Sequence, residues 1–135
     1  MTSPQIHETI LGNSAAIRKV RGLIELVGPT ELPVLIAGPS GAGKELVAQA
    51  IHSVSGRVGK LVAFNVCAIP ETMFEDTLFG HVRGAFTGAS HSSSGFLREA
   101  DRGTAFLDEI EALGGGAQAK LLRAIETRQF RPVGA

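Results

Sequence analysis

A single cysteine, Cys67, stands among the 135 residues, so no disulfide can close within the chain. Its neighbours Val66, Ala68 and Ile69 are apolar, which predicts a packed thiol in a protein of the reducing cytoplasm. Charge of one sign is also missing, since 13 Lys and Arg balance 13 Asp and Glu. Nucleic-acid faces need clustered positive charge, so direct DNA binding by this segment is not expected. Long apolar runs are lacking too. The stretch at residues 33–37 falls far short of the ~20 residues that a membrane-spanning helix needs, and nothing resembles a secretory leader. The histidines, His7, His52, His81 and His91, lack ligand spacing with cysteine or carboxylate, which argues against a structural metal site.

What is present is an ordinary globular balance, 44% hydrophobic and 19% charged, enough for one domain with its own core. Ile17, Val20, Ile24 and Val27 recur at helical spacing after a capping candidate at Asn13 or Ser14. Beyond the breaker "GPTELP", the apolar run "PVLIAG" suits a strand over residues 34–37 buried on both faces. A glycine-rich turn then opens a helix with Leu46, Val47, Ala50 and Ile51 on one side. "LVAFNV" and "GTAFLDE" read as further strands. Between them, "PETMFEDTLFG" suits a helix with Pro70 at its start, and "GASHSSSG" a mobile polar loop. The last helix, "GGGAQAKLLRAIETRQF", carries Leu121, Leu122 and Ile125; each leading glycine costs ~1 kcal/mol where it lies inside the helix. Strand alternating with helix implies an α/β fold, a parallel sheet flanked by helices.

Three short stretches carry chemistry. "GPSGAGKE" sets Gly38, Pro39, Ser40, Gly41, Ala42, Gly43, Lys44 and Glu45 between an apolar run and a helix. Glycines let backbone N–H groups turn inward around phosphate oxygens, the helix N-terminus adds partial positive charge, and Lys44 reaches the β- and γ-phosphates. The plainer alternative is a glycine turn with a solvated lysine. Glu45 stands where a phosphate loop usually offers Ser or Thr to Mg²⁺, which on chemistry alone counts against activity. "AFLDE" brings Asp108 and Glu109 to the carboxyl end of a strand, where ligands bind in open α/β sheets. Asp108 suits Mg²⁺ and Glu109 a water-activating base, against a plain helix-capping pair. In "GHVRGAFTGAS", Phe86 stands among residues too small to pack around it. Either the ring folds back onto the surface, or the loop offers it to a partner.

In this order, "GPSGAGKELVAQAIH", "LFGHVRGAFTGA" and "GTAFLDEI" resemble the central AAA+ ATPase domain of bacterial sigma-54-dependent transcriptional activators, from about residue 10 onward. The resemblance implies a P-loop NTPase fold of AAA+ type that uses ATP and Mg²⁺. It makes Asp108 the metal-binding and Glu109 the catalytic carboxylate, and it accounts for Glu45 as the family's own habit. Asn65 becomes the asparagine that senses nucleotide and restrains Glu109; the residues alone favour a strand-end side chain bonding the backbone. Gly84, Ala85, Phe86, Thr87, Gly88 and Ala89 match the family's signature loop, which touches sigma-54, with Phe86 and Thr87 at its tip. The parent would act as a ring of identical subunits that remodels sigma-54 RNA polymerase holoenzyme for promoter opening. The family's sensor strand, arginine fingers and helical lid have no counterpart in residues 1–135. The segment therefore reads as the N-terminal part of that domain, expected to bind nucleotide weakly and hydrolyse it poorly by itself. Two alternatives remain: a small-molecule kinase of the phosphate-loop type, and a non-catalytic nucleotide- or partner-binding module of the same fold.

Overall fold

The structure is a computed structural model that describes residues 10, 12, 14–39, 41 and 43–135. Its first helix, α1 (Ala15–Val27), starts where Ser14 accepts a hydrogen bond from the Ile17 N–H through its side chain. Asn13, the other capping candidate, lies outside the described residues. Helix α2 (Lys44–Ser55) follows the glycine-rich turn and packs on α1, where Ile24 and Ala50 are buried together with Ile10. Arg21 is also buried there, its guanidinium donating to the Ile10 carbonyl, which ties the chain before α1 to the helix.

The sheet has two parallel strands, β1 (Leu61–Asn65) and β2 (Thr104–Asp108), in a register that sets Asn65 opposite Asp108. A parallel pair needs a long crossover, and here it contains two short helices, α3 (Phe74–Phe79) and α4 (Phe96–Glu99). The last helix, α5 (Gly115–Thr127), joins them in the larger core. Phe64, Val66, Phe74, Leu78, Phe79, Phe96, Leu113, Ala117 and Leu121 meet there, and Phe79 and Leu78 are fully enclosed. Truncating either enclosed side chain to alanine costs about 3–5 kcal/mol.

Several expectations need correction. Residues 34–37 are not a strand: the whole stretch 31–39 has no regular secondary structure, and Leu35 is 83% exposed. An open cleft of about 270 Å³ separates Pro33, Val34 and Ile36 from Thr104–Phe106 of β2. With no ladder partner alongside, an apolar run has nothing to hold it as a strand. Cys67 is exposed rather than packed, because the 3₁₀ turn Val66–Ala68 sends Val66 inward and Cys67 outward. On α5 the buried line runs through Ala117 and Leu121, with Ala124 partly covered, which leaves Leu122 and Ile125 outside. Leu46 likewise faces out, and Ala48 takes its place. Pro70 precedes a 3₁₀ turn, Glu71–Met73, that delays the start of α3.

The polar stretch 88–95 is better anchored than its composition suggests. His81 and Ser93 exchange backbone hydrogen bonds, 3.0 and 2.8 Å, in an antiparallel bridge. On the other side, Val133 N–H donates to the Gly80 carbonyl and the Val82 N–H donates to the Val133 carbonyl. Beneath this bridge Gly80 and Gly95, both at positive φ, cross so closely that a Cβ on Gly95 would stand 2.3 Å from the Gly80 nitrogen. No side chain fits there. The loop at residues 82–92 therefore hangs from a clamped base.

Candidate functional site

Lys44 is the first residue of α2 and follows Gly43, which adopts φ +86° as the helix cap; Gly41 is likewise left-handed at φ +80°. These conformations suit glycine and turn the backbone sharply into the helix. Ser40 and Ala42 lie outside the described residues. Gly38, Pro39 and Gly41 are exposed, Lys44 is half-buried, and Glu45 is exposed on the helix side, away from the core. A carboxylate at the position after Lys44 thus need not face the phosphates.

Asp108 closes β2, and the parallel register places it beside Asn65 at the carboxyl end of the sheet. Through Oδ1, the Asp108 carboxylate accepts the Glu109 N–H at 3.0 Å. Glu109 itself has left-handed backbone angles, φ 59° and ψ 42°, a conformation that costs a non-glycine residue on the order of 1–2 kcal/mol. The strained turn lifts the Glu109 carboxyl out of the strand direction. Strained backbone at a candidate site is a common companion of function.

A third acid was not singled out from the sequence. Glu111 hydrogen-bonds Glu109 and repels it, which raises the Glu109 carboxyl above the ordinary carboxylate range. Partial burial and the Asp108 charge add to the rise, while the Lys44 charge opposes it. Glu111 is held below that range, first by a hydrogen bond from its own backbone, then by Glu109, with a further pull from Lys44. The spacing "DEIE" was the available signal, but a two-residue offset in a strand would point the acids the same way only if the strand continued. It does not; a 3₁₀ turn, Ile110–Ala112, bends Glu111 back toward Glu109. Lys44 acts electrostatically on both acids, as the smallest of the influences on each.

Asn65 spends its Oδ1 on the Cys67 N–H, 2.9 Å away, and so caps the turn that follows β1. Phe86 and Thr87 lie at the tip of the other loop, where Gly84, Phe86, Thr87 and Gly88 are exposed and Ala89 is buried. The Phe86 ring is 46% exposed and leans on His81. Among the described residues no helix is long and apolar enough to cross a membrane.

The chain is 48% identical over 130 residues to UacR of Escherichia coli K12, which is named as a sigma-54-dependent transcriptional regulator; the match covers 95% of this chain and 22% of UacR. It is 47% identical over 133 residues to the anaerobic nitric oxide reductase transcription regulator NorR of Aliivibrio fischeri, covering 98% of this chain and 26% of NorR. The chain thus spans about a quarter of the length of the curated relatives it matches. Among solved structures, NtrX from Brucella abortus in complex with ATP superposes with a TM-score of 0.81 at 40% identity, over 93% of this chain and 26% of NtrX. The fold is the α/β, P-loop NTPase arrangement of AAA+ type, with its parallel pair of strands between helices. The sigma-54 interaction domain model matches residues 10–135, and the chain belongs to that family.

Proposed function

We propose that the chain is the ATP-binding and ATP-hydrolysing part of a sigma-54-dependent transcriptional regulator that remodels sigma-54 RNA polymerase for promoter opening. The observation that carries this reading is the placement of Lys44 at the start of α2, acting across the site on the acids that follow β2. It is supported by the family match and by the likeness to NtrX, whose structure holds ATP. Backbone N–H groups near residues 41–44 and the Lys44 ammonium would hold the β- and γ-phosphates of the triphosphate. Glu109 would take the proton of the attacking water as its oxygen bonds to the γ-phosphorus and the bond to the β-phosphate oxygen breaks. A carboxyl raised above its ordinary range is a stronger base once ionised, which suits this role. Asn65 would sense the nucleotide through its Nδ2 amide group while Oδ1 keeps the Cys67 N–H.

Asp108 fits a magnesium ion in donor chemistry: it is a hard oxygen donor, oriented by the Glu109 N–H, and Mg²⁺ is commonly held by one or two carboxylates together with substrate phosphates. When bound, the ion would neutralise charge on the transferring phosphate. Gly84, Ala85, Phe86, Thr87, Gly88 and Ala89 would form the surface that meets sigma-54, and the whole protein would work as a ring of identical subunits in the cytoplasm. The arginine fingers, sensor strand and lid would come from outside residues 1–135; the unpaired run at residues 31–39 and the cleft beside β2 favour a further strand there. Left unfilled, that gap would favour the second reading, a module that binds nucleotide or partner without turning nucleotide over.

Lys44→Ala and Glu109→Gln separate these readings in the whole protein. The first should lose ATP affinity by on the order of 100-fold, and the second should bind ATP with turnover reduced at least 100-fold. Thr87→Ala should spare turnover and abolish polymerase activation. Wild-type protein that binds ATP without hydrolysing it would favour the non-catalytic module.

A further inference from the structure

The Phe86 loop carries a device that the nucleotide site does not explain. His81 stands at the clamped base of the loop, and both of its ring nitrogens are engaged. Nδ1 pairs with the Asp76 carboxylate on α3, and Nε2 meets the His91 carbonyl, 2.8 Å away on the returning arm of the loop. An imidazole held at both nitrogens cannot turn about its ring axis without losing one of these partners. The fixed ring meets Phe86 in an edge-on contact, with centroids 4.9 Å apart and planes at 67°. Among the described residues this is the one ring contact recorded for Phe86, whose side still faces solvent. Gly84 and Gly88, on either side, adopt positive φ, and the loop between them is closed only by its own backbone, the Gly84 N–H donating to the Ala89 carbonyl and the Ala89 N–H to the Phe86 carbonyl.

We propose that the Asp76–His81 pair is a latch that docks the Phe86 ring on the domain and so sets how the loop tip is presented to a protein partner. His81 is a positioning residue here: it acts through Phe86 and touches neither the phosphate loop nor the acids. Asp76 sits in α3, packed beneath the loop base, and its own backbone carbonyl accepts the Gly80 N–H, 2.7 Å away. The latch therefore hangs on the same helix end that fixes the clamp. An aromatic pair of this kind biases the docked form by roughly 2- to 10-fold, small enough for a partner to release it. The identity of that partner rests on the proposed function; the docking itself does not.

The test uses the full chain with 4-fluorophenylalanine at position 86 alone, read by fluorine NMR through line width and the shift between H₂O and D₂O. Asp76→Ala and His81→Ala should both narrow the line and raise the solvent shift toward that of an exposed ring. Asp76→Asn, which keeps an acceptor for the imidazole and disturbs α3 least, should give a smaller change in the same direction. The Asp76 variants matter most, because they alter nothing that touches Phe86. An unchanged signal in all three variants, with the fold intact by circular dichroism, overturns the proposal. A change in His81→Ala alone overturns it too, since the ring contact would then need no anchor. The readout involves neither nucleotide nor partner, so it succeeds or fails independently of the proposed function.

Discussion

The loops at residues 38–43 and 84–89 are both rich in glycine, yet they sit in the fold in opposite ways. The first follows a stretch with no regular structure, in which Leu35 is 83% exposed, and it leads straight into a helix. The second is drawn together by backbone bonds from the Gly84 N–H to the Ala89 carbonyl and from the Ala89 N–H to the Phe86 carbonyl, and it hangs from a base clamped by Ser93 and Val133. On the proposed function, glycine in the first would keep backbone N–H groups open to an anion, and in the second it would let a tight loop close and still change shape.

The comparison breaks most visibly at the clamp. Gly95→Ala would drive a methyl group against the Gly80 backbone, and a loss of about 3 kcal/mol or more is expected in urea unfolding. Gly41→Ala meets open space and bears only the left-handed backbone, so its cost to stability should stay near 1 kcal/mol. Equal losses at the two positions would mean that the loops are not built differently. A subtler contrast lies in the acids. Glu111→Gln weakens the hydrogen bond from the Glu109 carboxyl and removes the neighbouring charge, the two largest causes of its rise, so the Glu109 carboxyl should fall back toward its ordinary range. A base must be ionised to act, and the acid limb of turnover against pH should therefore shift to lower pH in this variant. The smallest effects belong to the helices. Gly22→Ala in α1 and Gly115→Ala in α5 meet nothing within 4 Å at ordinary φ, and each should stabilise by about 0.5–1 kcal/mol.

Much of this was legible in the residues. Ser14, the spacing of Ile17 to Ile24, and the turn before Lys44 marked α1 and α2, because capping and periodicity act locally. β1 and β2 were equally plain, each a short apolar run with its polar residue at the end. The run at residues 34–37 misled, because a strand exists only with a ladder partner, and the sequence of the run says nothing of its neighbours. On α5 the apolar residues alone did not say which are covered: Leu122 and Ile125 stay exposed while Leu121 is buried, because a helix face is buried only where another element covers it. At the candidate site, Lys44, Asp108 and Glu109 stood out by motif. Glu111 did not, since its approach to Glu109 depends on a left-handed turn at a non-glycine residue. His81 and Asp76 were hidden as well, their pairing being made by the chain reversal at Gly80.

The most direct test of a shared nucleotide site is a titration with Mg·ATP followed by amide resonances. If the glycine-rich loop and the end of β2 grip one triphosphate, Gly41, Gly43, Lys44, Asp108 and Glu109 should shift together along one saturation curve, and Lys44→Ala should abolish all of these shifts at once. Shifts confined to one of the two segments, or persisting in Lys44→Ala, would contradict it.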